Sequence, residues 1–82
     1  MKDVIRAIYA QVDAPAWAAP NLDGLADVLR DLSWRPAGPV ELVVPDLSAL
    51  DDAQANRLLA TLWRSADDAA ASDRPLRIVG AH

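Results

Sequence analysis

Asp23 and Asp27 stand four residues apart, directly after Asn21 and Leu22 and one loop after Trp17, in the run Trp17-Ala18-Ala19-Pro20-Asn21-Leu22-Asp23-Gly24-Leu25-Ala26-Asp27. On a helix that spacing turns both carboxylates to the same side. Such a pair could act as an acid and a base, hold a hard cation, or make charge-assisted hydrogen bonds to a basic partner. For catalysis the chain has no nucleophile beside a base, its only histidine, His82, is the terminal residue, and three glycines could hardly build a phosphate-cradling loop. As metal ligands, two aspartates without histidine or cysteine make a poor site. We therefore assign no catalytic residue, no metal and no cofactor, and read the chain as a non-enzyme. Acids at a helix start also favour the positive end of its dipole and can simply face water. The neighbouring Pro15, Trp17, Asn21 and Leu22 weigh toward a contact surface instead.

The element that must carry these groups is a short helix. Asn21 is a good N-cap, because its side-chain oxygen can accept from an unpaired N–H of the first turn, and Pro20 limits how the chain enters. The helix then starts near Leu22. Leu22, Leu25, Leu29 and Leu32, with Ala26 and Val28 between them, recur at three- and four-residue steps and form one buried stripe. Gly24 costs such a helix something under about 1 kcal/mol relative to alanine, so its presence points to close approach of another backbone.

Around this helix the chain reads as α/β. Asp3 is placed to cap a first helix over Val4 to Val12, closed by Asp13-Ala14-Pro15. Ser33 to Pro39 is a linker punctuated by proline and glycine. Val40-Glu41-Leu42-Val43-Val44 is the best strand, and its near-continuous apolar character, with Glu41 the exception, predicts cover on both faces. Asp46 to Leu50 reads as a turn or a single helical turn. Asp51 or Asp52 opens the longest helix, about Ala53 to Ala70, with Ala55, Leu58, Leu59, Leu62, Trp63 and Ala66 inward. Leu76 to Val79 is a second strand and Gly80-Ala81-His82 a tail. The expected fold is one α/β domain over 1–82, with two short parallel strands joined by a right-handed crossover and three to four helices.

With 82 residues, about 60% of the unfolded surface can be buried, so the core is modest. The composition, 52% hydrophobic and 24% charged, is that of a globular chain. Without cysteine there is no disulfide frame or thiolate metal site. No apolar run approaches the roughly 20 residues that span a bilayer, and no basic-then-apolar leader opens the chain, so a cytoplasmic protein without a membrane partner is expected. A net charge of −4 and a pI near 4.6 argue against nucleic acid and for a basic protein surface. Arginine over lysine and abundant alanine suit a GC-rich bacterial genome.

The run Pro15-x-Trp17-x-x-x-Asn21-Leu22-Asp23-Gly24-Leu25-x-Asp27-Val28-Leu29 resembles the barstar-like inhibitors of small microbial ribonucleases. The resemblance is strong over about a fifth of the chain. It implies that the helix and its loop plug a nuclease active site whose Arg, Lys and His groups bind phosphate, with Asp27 in the place of a phosphate. Asp23 and Asn21 would then make supporting polar contacts and Trp17 the aromatic contact, where the family usually has tyrosine. Ala26 stands where tryptophan is common, Gly24 replaces an alanine and Ala19 a frequent glycine. Losing that tryptophan removes an apolar anchor of a kind that often dominates an interface. Trp17 also has a reading as a core aromatic pinning its loop. Trp34 either roofs the core or borders the interface, while Trp63 reads as structural. Asp67 or Asp68 would supply a further acid at the end of the long helix, unless that face is only solvated.

The partner implied is a small basic ribonuclease or nuclease toxin, the chain serving as an immunity protein or antitoxin. The alternative is a non-inhibitory protein–protein interaction module of the same fold. The resemblance implies a further strand before the first helix, and the spacing from Val4 to Trp17 leaves no room for a strand, a turn and the helix, so two strands are expected here. A two-stranded sheet has little independent stability and unpaired edges, which predicts either weak self-association through an exposed edge or tolerance of low stability.

Overall fold

A computed structural model describes residues 1–80; Ala81 and His82, read above as tail, lie outside the described residues. The elements follow the expected order: α1 (Lys2–Val12), α2 (Leu22–Asp31), β1 (Val40–Val43), α3 (Asp52–Ala69) and β2 (Leu76–Val79). The two strands are parallel, with Val40 opposite Leu76 and Val43 opposite Val79. Asp46 to Leu50 is a turn, so the described residues hold three helices.

One hydrophobic cluster joins every element. Ile5, Ile8 and Val12 come from α1, Leu25, Val28 and Leu29 from α2, Val40 and Leu42 from β1, Leu58 and Leu62 from α3, and Leu76 from β2. Leu32, which closes α2, belongs to it too: its side chain is only 1% exposed although its φ of 49° lies in the left-handed region. That conformation costs a non-glycine residue roughly 1–2 kcal/mol, which burying a leucine, at about 1.5–3 kcal/mol, offsets. The apolar residue is thereby turned back onto the core where the helix stops.

Three sequence expectations are corrected. Asp3 does not cap α1. The cap position is Met1, without a side-chain bond, and Asp3 sits in the first turn, 3.8 Å from Arg6. β1 is not covered on both faces: its burial alternates, with Val40 and Leu42 buried and Glu41 and Val43 exposed, so beyond the expected exception at Glu41 the apolar Val43 also faces out. Trp63 is not inward but 57% exposed. The buried stripe of α3 runs Leu58, Leu62, Ser65, Ala69, in steps of four and three, and Trp63 falls roughly 100° from Leu62. Ser65 takes the inward place because its hydroxyl donates to the Thr61 carbonyl at 2.8 Å, so no polar atom is stranded. The alternative left open for the α3 cap resolves to Asp51, one of the two expected residues, with its side chain accepting from the Gln54 N–H in a capping box.

Candidate functional site

The loop between α1 and α2 is held at several points. Asp13, in the left-handed region at φ 53°, ends α1 and pairs with Arg35 at 2.7 Å. Trp34 is half-buried and donates from Nε1 to the Val12 carbonyl at 2.9 Å. Trp17 stands edge-on to Trp34, ring centroids 6.3 Å apart and planes at 88°. Trp17 is nevertheless 62% exposed. It is therefore not a core aromatic: Trp34 has the structural contacts and holds Trp17 outward.

The far end of the loop is fixed by one carbonyl. Ala19 C=O accepts from the Asn21 N–H at 2.9 Å and from the Tyr9 hydroxyl of α1. Asn21 caps α2 as expected, its side-chain oxygen accepting from Gly24 N–H at 2.7 Å. Gly24 is where the Ala19 carbonyl lies against α2, so that a methyl there would collide with it. The backbone approach anticipated at this glycine comes from the chain's own loop. Tyr9 itself was not singled out by its position in the sequence, since its bond to Ala19 joins different elements.

Asp23 and Asp27 project from α2 into solvent, and neither has an ion pair among the described residues, where the pairs are Arg6–Asp3 and Arg35–Asp13. They lie roughly 40° apart around the helix, and this small rotation gives them different neighbours. Asp27 faces the Tyr9 side. Burial first, and the negative charge of Asp27 second, hold the Tyr9 phenol above its ordinary value of 10.0. Asp23 instead borders a cleft of about 350 Å³ between α2 and α3, together with Ala26, Arg30, Arg57, Arg64 and Asp68. Leu22 is half-buried at the same cleft. Of the two acids late in α3, it is Asp68 and not Asp67 that lines it. The three arginines were not anticipated, because they converge only once α2 packs on α3. Among the described residues no group of three His, Cys, Asp or Glu is gathered for a metal ion.

Tyr9 is the sole tyrosine, so its phenolate absorbance reports this corner directly. A folded-state pKa raised above the unfolded value stabilises the fold fully below about pH 10, and that contribution is lost as pH rises through the folded value. The titration of the folded protein is expected to lie above that of the denatured chain, and Asp27→Asn to move it part of the way back. A folded-state midpoint at or below the denatured one would contradict the packing described.

The structure thus presents a capped helix with two exposed acids that have no ion pair among the described residues, preceded by a loop with an exposed aromatic. Residues 1–80 match the family model for Barstar (barnase inhibitor). The chain belongs to the barstar family. No curated protein and no solved structure matches it beyond that. The match covers nearly the whole chain, well beyond the Pro15-to-Leu29 run on which the resemblance rests, and the α/β order of elements agrees with it. As a barstar-family chain it differs from the resemblance pattern most visibly at Ala26, whose small side chain lies at the cleft between α2 and α3. No helix among the described residues is long and apolar enough to cross a membrane.

Proposed function

We propose that this chain inhibits a small basic ribonuclease by seating the α2 edge and its preceding loop in the enzyme's active site. Asp27 takes the place of a substrate phosphate, Asp23 and Asn21 bond along the rim, Leu22 and Ala26 meet the enzyme beside the cleft, and Trp17, backed by Trp34, packs on the enzyme surface. The observation that carries this reading is the state of the two acids: exposed, unpaired and fixed on a capped helix whose loop is tied down. A carboxylate that has no internal partner needs none broken before it meets a guanidinium, and charge-assisted bonds of that kind are the strong ones. The net charge of −4 steers a basic enzyme in from solution. We further propose that the whole chain is one domain acting in a bacterial cytoplasm, against a nuclease made by the same or a neighbouring cell.

The test is an inhibition titration. The purified chain is mixed with barnase and other small guanyl-specific ribonucleases while RNA cleavage is followed. Stoichiometric slowing of one of them supports the reading. Cleavage unslowed throughout at excess inhibitor favours an interaction module of the same fold that has given up the tryptophan contact.

A further inference from the structure

β1 is hydrogen-bonded to β2 along one edge only. The N–H groups of Val40 and Val44 donate to the carbonyls of Pro75, just before β2, and of Val79, at its end, both at 2.9 Å. In a parallel pair alternate residues face the partner, so the main-chain groups of Glu41 and Val43 point the other way. At Val43 that outer edge is not open. The Gln11 side chain of α1 donates from Nε2 to the Val43 carbonyl at 2.8 Å and accepts the Val43 N–H on Oε1 at 2.8 Å. A side-chain amide here makes both bonds that a neighbouring strand would make.

We propose that Gln11 holds this edge shut against a second copy of the chain, and that the protein is a monomer because of it. The occupant follows from the edge itself. Two copies of β1 related by a two-fold axis through Leu42 would run antiparallel with Glu41 opposite Val43 of the other copy. Both are outward-facing, so each such pair exchanges two main-chain hydrogen bonds. The exposed Val43 side chain, 41% accessible, then covers the stem of Glu41 rather than meeting a like charge. Every pair in this register uses a Val43, and Gln11 occupies both of its groups. Pairing Glu41 with Glu41 instead sets like charges opposite each other and brings up Pro39, which has no N–H to donate. The amide of one residue thus blocks the favourable register, and charge and proline disfavour the next. This inference does not depend on the ribonuclease reading.

Sedimentation velocity of the full chain, from micromolar to millimolar, tests it. The wild type is expected to remain monomeric, and Gln11→Ala to dimerise about tenfold or more tightly, two main-chain bonds being freed in each copy. Adding Glu41→Pro should return the variant to a monomer, because that N–H points away from β2 and its loss leaves the β1–β2 ladder intact. A monomeric Gln11→Ala, a wild type that dimerises as tightly, or a dimer that survives Glu41→Pro would each overturn the proposal. Should Gln11→Ala fail to fold, amide exchange in the wild type decides. Protection of Val43 N–H comparable to that of Val44 supports the plug, and exchange at the rate of a free amide refutes it.

Discussion

Asp27→Ala is expected to weaken binding of the target ribonuclease by about thirtyfold or more, with no loss of folding stability. Truncating one partner of a buried, hydrogen-bonded charge pair costs about 2–5 kcal/mol, because the other charge is left desolvated and unpaired. At 1.4 kcal/mol per decade that is roughly thirtyfold to several thousandfold in Kd. At neutral pH, where the Tyr9 phenol beside it is uncharged, the fold does not rest on this carboxylate: Asp27 is exposed and forms no ion pair among the described residues. Surface changes of that kind stay within about 0.5 kcal/mol of wild-type stability. Asp23→Ala is expected to cost less, about tenfold, since Asp23 shares its cleft with Arg30, Arg57 and Arg64, which offset part of its field before the enzyme arrives. Calorimetric titration with the inhibited ribonuclease, beside thermal melts, separates these outcomes. Asp27→Asn keeps the shape and removes the charge, so it should fall close to Asp27→Ala. If Asp23→Ala proved the more damaging, the phosphate-like role would belong to Asp23 at the cleft, and the enzyme's cationic pocket would have to lie over α3.

What was legible in the sequence is what a few adjacent residues decide. Asn21 caps, Leu22 starts and Leu25, Val28 and Leu29 bury, because helix phase is set by spacing within α2 alone. Asp51 with Gln54 is equally local. Trp63 shows where composition misleads: a large apolar side chain reads as inward, but the phase of α3 puts Ser65 there, with its hydroxyl satisfied one turn back. β1 shows the complementary error, an apolar run that is buried on one side only. The contacts that shape the site were beyond any window of sequence. Tyr9 reaches Ala19 across ten residues and Gln11 reaches Val43 across thirty-two, and neither pairing leaves a trace in spacing or residue type. The cleft beside Asp23 is likewise made by two helices, so its arginines could be seen only after they had packed.

Gly24→Ala carries the other large effect, and here two principles give opposite signs. In an isolated helix alanine is better than glycine by up to about 1 kcal/mol, which predicts a more stable protein. In this fold the added methyl meets the Ala19 carbonyl and lies 3.1 Å from the Tyr9 hydroxyl. The carbonyl cannot simply retreat, because it accepts from both Asn21 N–H and Tyr9. Overpacking of this kind costs typically 1–3 kcal/mol. The net result expected is a loss of about 1–2 kcal/mol, or roughly 5–15 °C in Tm for a domain of this size. Because the displaced segment leads back to Trp17, ribonuclease binding should fall as well, whereas Asp27→Ala lowers binding without touching Tm. Combining Gly24→Ala with Tyr9→Phe frees the carbonyl from one anchor and removes the second oxygen that the methyl meets. The double variant should therefore lose less than the two single losses added together, as residues sharing a partner do. A rise in Tm for Gly24→Ala would mean that the loop does not lie against α2 in solution, and with it would go the rigidity that lets Trp17 and Asp27 act as one surface.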